Sequence, residues 1–337
     1  MKSSKFDSVV IVVNKTRLER LEAQFNTKGQ AQFYIEQQAL NELAKASKFK
    51  KEAPSPKAMK AAKDDSFKDY QTEHDSFFIG LEKVKSTISR YTKVKVIEKS
   101  YLTNYLFSEN EIVIVIGQDG LVANTAKYVN SLPIIAINPD VNRYDGALLP
   151  FRPDNFETAL IRVLENNFNY KEVTMAEAKL NDGQRLLAFN DLFIGPASHI
   201  SARYRIEFLG QKENQSSSGI IVSTGAGSTG WMSSLINMAN KINESLLKNP
   251  VSNKGFQLNW GDSKLLFIVR EPFLSKHSQI NLTAGVIDAS NSLVLESMMP
   301  ENGIIFSDGV DRDFIKFNSG SIATIGVAPE KAKIVTA

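Results

Sequence analysis

Four short apolar runs, separated by segments of helical composition, constrain the fold of this chain more than any other feature. The runs are rich in valine and isoleucine and cover residues 9–13, 94–97, 112–116 and 133–137. Short β-branched runs without strict alternation are typical of strands covered on both faces, as in a parallel sheet with helices on either side. Strands that alternate with helices therefore predict a doubly wound, parallel α/β domain.

The pattern changes after Asp140, and the second half of the chain is predicted to be mainly antiparallel sheet. Tyr204, Ile206 and Phe208 alternate with charged residues, which indicates a sheet with one face in solvent. A single helix over residues 154–168, capped by Asp154, precedes these strands. The other strand-like segments are 173–179, 184–194, 265–269, 292–296, 303–306 and 321–325. We place the boundary between the two domains near residue 150.

Between the first two strands lies a long segment with two kinds of composition. Residues 16–25 and 32–49 are rich in helix-forming residues, and apolar residues recur at helical spacing up to Ile88. From Lys45 to Lys68, eight lysines, Pro54, Pro56 and few large apolar residues indicate an exposed loop or insertion.

Charge and composition exclude several classes of function. The chain has 337 residues, and its 40 Lys and Arg against 37 Asp and Glu leave a net charge of only +3, too small for a surface that binds nucleic acid or an anionic membrane. It has no cysteine, and its three histidines lie far apart, so a thiolate or HExxH metal site is not expected. No apolar run is long enough to span a membrane, and no secretory signal precedes the first strand, so we expect a cytoplasmic protein.

The first candidate for chemistry is the turn formed by Gly117, Gln118, Asp119 and Gly120, between a buried strand and a helix. A glycine turn at a helix N-terminus directs backbone N–H groups at an anion, usually a phosphate. A carboxylate at this corner can hold Mg²⁺ or accept a proton from a nucleophilic hydroxyl. The alternative is a plain turn in which Asp119 only caps the helix.

The second candidate is a loop rich in glycine, serine and threonine that follows the segment 219–222. Gly225, Gly227 and Gly230 form a literal GxGxxG pattern. We reject a dinucleotide-binding turn of the Rossmann type, because Lys248–Ser252 resembles a loop where an acidic strand end is required. Hydroxyls and backbone donors in this loop suit ribose, phosphate or base edges, and the alternative is a well-capped helix.

The third candidate is the pair Asn190 and Asp191, at the end of an apolar strand. Together they can bind both hydroxyls of a ribose, although both residue types are also common in turns. No Gly-Lys dipeptide exists in the chain, which excludes a Walker-type P-loop.

In their order along the chain, these three segments resemble the motifs of the NAD kinase family, namely a GGDG turn, an Asn-acidic pair and a Gly-Ser-Thr loop. The resemblance is nearest to the mitochondrial branch of that family. It extends through residues 188–195, 217–219, 270–272, 308–309 and 317–323, and also includes the opening run 9–13.

The resemblance implies an α/β nucleotide-binding domain over residues 1–150 and a β-sandwich-like, NAD-binding domain over residues 151–324. It also implies that the tail, about 325–337, returns to the first domain. The implied reaction transfers a phosphoryl group from ATP, or in some members from polyphosphate, to the adenosine 2′-hydroxyl of NAD. The implied metal is Mg²⁺, no separate metal-binding residues are predicted, and the implied assembly is a homodimer.

Each site role follows from the resemblance, position by position. Asp119 is the expected catalytic carboxylate, with Gly117, Gln118 and Gly120 as its phosphate turn, and Asn190 and Asp191 are the expected ribose-binding pair. The glycine-rich loop is formed by Gly225, Gly227 and Ser228. The residues after it, Thr229, Gly230, Trp231 and Ser234, are expected to contact adenine and nicotinamide.

Gln118, in place of the second glycine of GGDG, is the departure that matters most. A side chain at this position would crowd the phosphates or require a positive φ at a cost of about 1 to 2 kcal/mol. Two alternatives to the kinase therefore stay open. One is an NAD-binding protein without ATP chemistry, and the other is a relative that phosphorylates a lipid or sugar hydroxyl.

Overall fold

The computed structural model describes residues 5–50, 54–247 and 257–336. Its helices are α1 (Arg17–Phe25), α2 (Lys28–Lys50), α3 (Pro56–Ile88), α4 (Asp119–Ala126), α5 (Glu157–Leu164) and α6 (Trp231–Ile242). Short 3₁₀ turns cover Lys99–Asn104 and Ala226–Thr229, and a π turn follows α6 at Asn243–Leu247. The segment Lys248–Ser252, discussed above, lies outside the described residues.

The four valine- and isoleucine-rich runs form adjacent parallel strands, as predicted. Strands β1 (Ser8–Val13), β2 (Lys93–Glu98), β3 (Glu111–Ile116) and β4 (Pro133–Ile137) lie in the order β2-β1-β3-β4. One face of this sheet packs against α3 and α5, and the other packs against α4. Helices on both faces explain why every residue of β3 and β4 is buried.

The lysine-rich segment is helical, so the prediction of an exposed loop over Lys45 to Lys68 is wrong. Helix α2 runs to Lys50 and α3 begins at Pro56, while residues 51–53 lie outside the described part of the chain. The Ser55 side chain accepts a hydrogen bond from the Ala58 backbone N–H and caps α3. Because proline is tolerated in the first turn of a helix, Pro56 starts α3 rather than interrupting it.

Asp154 does not cap α5 as we had predicted. The helix begins at Glu157, and its N-cap residue, Phe156, makes no side-chain capping hydrogen bond. The Asp154 carboxylate instead pairs with the Lys83 ammonium on α3. The packing of α5 does not depend on a cap by Asp154, because the α5 residue Leu160 is fully buried against the first sheet.

The remaining strands form two facing sheets around a common apolar core. Tyr204, Ile206 and Phe208 point into this core, which confirms the predicted alternation. The predicted strand over 184–194 is divided at Phe189 and Asn190. The strands are β5 (Tyr170–Leu180), β6 (Arg185–Ala188), β7 (Asp191–Pro196), β8 (Ala202–Phe208), β9 (Gln211–Ser217), β10 (Ile220–Ser223), β11 (Leu265–Val269), β12 (Ala284–Ile287), β13 (Leu293–Ser297), β14 (Gly303–Ser307), β15 (Val310–Lys316) and β16 (Ile322–Val335).

A single long strand connects the two halves of the molecule. Within the described residues, one sheet has six antiparallel strands in the order β12-β11-β10-β7-β14-β15, and the other has ten. Strand β16 pairs antiparallel with β13 and β5, and its Lys333 and Ile334 pair parallel with β4. The ten-stranded sheet therefore runs through both halves. The predicted fold class, an α/β part followed by a β-sandwich-like part, is confirmed, whereas the boundary at residue 150 stays a prediction.

A search of the described helices for one that is long and apolar enough to cross a membrane finds none.

Candidate functional site

The turn after β3 forms the edge of a cleft at the carboxyl end of the parallel sheet. Gly117 has φ of 156°, a backbone conformation that residues with a side chain rarely adopt. A Cβ atom there would lie 3.1 Å from Leu121 Cδ2. Gln118 precedes α4 with φ of −106° and ψ of 163°. Gln118 is thus in an extended conformation, and the expected requirement for a positive φ at this position is wrong.

The Gln118 side chain is exposed and lies near Tyr144, which lines the same cleft. Its amide lies close enough to the Tyr144 hydroxyl to oppose the effect of burial on the pKa of Tyr144. The Tyr144 hydroxyl in turn lies 3.2 Å from Glu73 Oε1 on α3. Burial is the main cause that raises the pKa of Tyr144 above its ordinary value, so this hydroxyl remains a proton donor at neutral pH. The side chain at position 118 therefore has polar partners beside the turn.

Asp119 is the first residue of α4 and is half-buried. Its Oδ1 atom accepts a hydrogen bond of 2.7 Å from the backbone N–H of Leu148. Gly117, Gln118 and Gly120 line the cleft, which has a volume of about 260 Å³, whereas Asp119, between them in the chain, is not among its lining residues. The Leu148 contact fixes the orientation of the carboxylate without neutralising its charge.

Asp308, at the turn between β14 and β15, lines the same cleft and is almost fully buried. Its Oδ1 atom accepts hydrogen bonds from the N–H groups of Asn190, at 2.6 Å, and Asp191, at 3.4 Å. Its Oδ2 atom accepts one from the Phe189 N–H at 3.1 Å. One carboxylate thus connects the cleft to the strand end that carries the Asn-Asp pair.

A buried lysine, Lys127, forms an ion pair with Asp308. Lys127 Nζ lies 3.7 Å from Asp308 Oδ2 and donates a 2.7 Å hydrogen bond to Ser307 Oγ. Burial raises the pKa of Asp308 above its ordinary value, while the Lys127 ammonium and the three amide donors oppose this change. Burial lowers the pKa of Lys127, and the charges of Asp308 and Asp313 oppose this change. Each charge is therefore tolerated in the interior mainly because the other is present.

The two predicted ribose-binding residues lie at the start of β7. The Asn190 carbonyl oxygen accepts a 2.9 Å hydrogen bond from the Thr224 N–H, which joins it to the end of β10. Asp191 is largely buried, and burial, together with the nearby charge of Asp308, raises its pKa to about 7. A carboxyl group with this pKa can change its protonation state near neutral pH.

The glycine-rich loop packs tightly against Asn190. A Cβ atom at Gly227 would lie 2.1 Å from the Asn190 carbonyl oxygen, and one at Gly225 would lie 2.0 Å from the Asn259 carbonyl oxygen. Ser228 Oγ donates to the Gly225 carbonyl oxygen at 2.7 Å. These glycines therefore allow close approach of backbone to backbone, which a side chain would prevent.

The end of the loop is exposed and carries an aromatic ring. Thr229 and Gly230 are exposed, and Ser234 Oγ donates to the Gly230 carbonyl oxygen at 3.3 Å. The Trp231 ring stacks on Phe193 at 5.9 Å, with the Arg270 guanidinium 5.6 Å from the centre of the indole. The indole is therefore held by an aromatic and a cationic side chain.

The three predicted segments thus form one connected region. Asp308 lines the cleft beside the turn 117–120 and holds Asn190, and Asn190 contacts the loop at Gly227. Asp308 and Lys127 are not among the residues predicted for the site, although Asp308-Gly309 belongs to the resemblance. A carboxylate followed by glycine at the end of a buried strand was the signal available for Asp308.

Over part of its length, the sequence is similar to those of known NAD kinases. The chain is 28% identical over 157 residues to an NAD kinase of Saccharolobus islandicus, an alignment that spans 47% of this chain and 57% of that protein. It is 30% identical over 127 residues to an NAD kinase of Saccharolobus solfataricus, over 38% of this chain and 49% of that one. The chain therefore spans about half the length of the curated relatives it matches. No protein-family model matches it.

Solved structures extend the similarity to the whole fold. An NAD kinase from Archaeoglobus fulgidus, in complex with ATP, superposes with a TM-score of 0.52 at 18% identity, over 75% of this chain and 88% of that one. A yeast NADH kinase in complex with NADH superposes with a TM-score of 0.55 at 12% identity, over 100% of this chain and 88% of that one. The chain therefore has the fold of the NAD kinases, and over about half its length its sequence is similar to theirs.

Proposed function

We propose that this protein is an ATP-dependent NAD kinase, which transfers a phosphoryl group from ATP to the adenosine 2′-hydroxyl of NAD and yields NADP. The observation that supports this proposal best is the position of Asp308. It lines the cleft beside the phosphate turn and also holds the Asn190 backbone through a 2.6 Å hydrogen bond. A donor in the cleft and a ribose on Asn190 and Asp191 would then be neighbours, as in-line phosphoryl transfer requires.

In the proposed mechanism Asp119 is the general base. Its carboxylate accepts the proton of the 2′-hydroxyl while the bond between the 2′-oxygen and the γ-phosphorus forms. The bond from the γ-phosphorus to the bridging oxygen breaks, and ADP leaves with the bonding electron pair. The Leu148 N–H, at 2.7 Å from Asp119 Oδ1, keeps the carboxylate oriented for this step. General-base assistance of this kind contributes about 10² to 10⁴-fold to the rate.

The residues at the cleft fit a Mg²⁺ ion that enters with the phosphates. Such ions are usually held by one or two carboxylates together with substrate oxygens, rather than by a cage made only of protein ligands. Among the described residues no group of three or more His, Cys, Asp or Glu side chains is arranged to hold a metal. Asp140, which lines the cleft, would provide a carboxylate oxygen, and the ion would supply charge neutralisation on the phosphates.

The ligands of the related structures agree with the two proposed substrates. The Archaeoglobus fulgidus protein was solved with ATP and the yeast protein with NADH. We further propose that this chain belongs to the mitochondrial branch of the family, on the basis of the segments 188–195 and 317–323. We also propose that the protein is a homodimer, on the basis of the resemblance, and that it is cytoplasmic, on the basis of the composition.

Incubation of the purified protein with ATP, Mg²⁺ and NAD tests the function, with NADP measured by an NADP-specific dehydrogenase. The proposal predicts ATP-dependent formation of NADP. Binding of NAD without NADP formation would favour the alternative of a non-catalytic binding protein. Phosphorylation of diacylglycerol, sphingosine or a sugar, but not of NAD, would favour the second alternative.

A further inference from the structure

Basic side chains converge on the cleft from the carboxyl ends of two neighbouring strands. Lys15 and Arg20 follow β1, in the connection to α1 and in α1 itself, and Lys99 begins the 3₁₀ turn after β2. All three line the cleft, together with the turn that follows β3. The carboxyl ends of adjacent parallel strands meet at one edge of a sheet, which is where ligands of doubly wound folds bind.

The acidic residues of the cleft do not neutralise these cations, because they are paired elsewhere. Glu73 pairs with Arg17, Asp140 lies 3.6 Å from Arg143, and Asp308 is held by Lys127 and three amides. In the part of the chain that the structure describes, no carboxylate lies within 4.0 Å of the charged nitrogens of Arg20 or Lys99. Lys15 has only a loose contact of 3.7 Å with Glu98.

The positive charges also act on each other. Burial lowers the pKa of Lys99 from its ordinary value, and the charges of Lys127 and Arg20 lower it further. Like charges gathered at a half-buried site repel each other, and this repulsion is relieved when an anion binds between them. The cleft is therefore electrostatically prepared for a ligand with several negative charges.

We infer that Arg20 and Lys99, assisted by Lys15, bind the linear phosphate chain of the phosphoryl donor. This inference rests on the proposed function, since it assigns the donor to the same cleft. The guanidinium of Arg20 suits two phosphate oxygens at once, whereas the ammonium groups of Lys99 and Lys15 act as point charges. Backbone N–H groups of the turn 117–120 would face the opposite side of the same chain of phosphates.

Helix α3 forms the outer wall of this phosphate site. Glu73 and Phe77 line the cleft, and Arg17 ties α3 to the segment that carries Lys15 and Arg20 through its ion pairs with Asp69 and Glu73. Thr16 Oγ1 and His74 Nδ1 are 3.0 Å apart and add a second contact. Helix α3 therefore positions the segment that carries Lys15 and Arg20.

Isothermal titration of the full-length protein with ATP, and separately with inorganic tripolyphosphate, tests the inference. We expect Arg20→Gln and Lys99→Gln each to raise the Kd of both ligands about ten- to hundredfold, because each loses a charge-assisted contact. Arg162→Gln and Lys179→Gln remove exposed charges of the same kind away from the cleft and are expected to leave both Kd values unchanged. The Kd for NAD, measured in the same variants, is expected to stay within about twofold of the wild type.

Unchanged binding of ATP and tripolyphosphate in both Arg20→Gln and Lys99→Gln would overturn the inference. Equal loss of NAD binding would also overturn it, because the variants would then be damaging the whole site. Weaker binding of ATP alone, with tripolyphosphate unaffected, would assign the cations to the nucleoside and contradict the proposal. If the wild type binds tripolyphosphate through these residues but forms no NADP, the proposed function fails and the phosphate site stands.

Discussion

The Oδ1 atom of Asp308 accepts a hydrogen bond of 2.6 Å from the backbone N–H of Asn190. The two residues are 118 positions apart in the chain. They meet because β14 pairs with β7, which places the turn after β14 beside the start of β7. This contact connects the cleft that we assign to the phosphoryl donor with the strand end that we assign to the ribose.

Asp308→Asn is expected to destabilise the protein by about 3 to 5 kcal/mol, because it removes the nearer of the two carboxylates beside the buried Lys127 ammonium, Asp308 at 3.7 Å and Asp313 at 3.9 Å. Lys127→Met is expected to cost a similar amount by leaving Asp308 uncompensated. Urea unfolding of both variants and of the double variant forms a mutant cycle. The double variant should lose clearly less than the sum of the two single changes, and strict additivity would show that the two charges do not depend on each other.

Gly227→Ala is expected to displace Asn190, since the new Cβ would lie 2.1 Å from the Asn190 carbonyl oxygen. We expect a loss of stability of about 2 kcal/mol or more, together with weaker NAD binding. Gly326→Ala is the control, because a Cβ atom at Gly326 would have no atom within 4 Å. Thermal unfolding and NAD titration of both variants would contradict this account if the two substitutions had equal effects.

Gln118→Gly restores the residue that the resemblance places at this position. Because Gln118 has φ of −106° and its side chain contacts Tyr144, we expect no gain in ATP affinity from this change. Glycine should instead cost about 0.5 to 1 kcal/mol of stability through greater freedom of the unfolded chain. A rise of tenfold or more in kcat/KM for ATP would show that the glutamine obstructs the donor.

Asp191→Asn is expected to change the pH dependence of stability. Burial and Asp308 raise the pKa of Asp191 from 3.8 to about 7, so the folded protein binds this proton more tightly than the unfolded chain does. The resulting stabilisation is fully present below pH 3.8 and is lost as the pH rises through about 7. Relative to the wild type, the variant should therefore gain about 3 to 4 kcal/mol between pH 4 and pH 8. Denaturant unfolding across this range measures the difference, and parallel curves for the two proteins would contradict the raised pKa.

The parallel sheet could be predicted from sequence because its strands are local features. Runs such as Ile112–Ile116 contain only residues that favour burial and extended backbone, so composition alone identifies them. The helices between Lys45 and Lys68 could not be recognised from the same kind of evidence. Lysine and alanine favour helix as well as exposure, and the pair Ser55 and Pro56 starts a helix here, although prolines were counted as signals for a loop.

The candidate site divides in the same way between local and distant features. The glycine turn with Asp119 and the pair Asn190 and Asp191 are contiguous in sequence and could be found by their order and composition. Lys127 and Ser307 lie 180 positions apart and meet only because strand pairing brings their segments together. The role of Asp308 depends on the same pairing, so no property of its own segment could have revealed which amides it holds.

Single-turnover measurement of Asp119→Asn tests the central claim most directly, with formation of 2′-phosphorylated NAD followed from saturating ATP, Mg²⁺ and NAD. The account predicts a rate at least about 100-fold below that of the wild type, with the Kd for NAD essentially unchanged, because the amide still accepts the Leu148 N–H but cannot take the proton. A rate equal to that of the wild type would remove Asp119 from the chemistry and contradict the account.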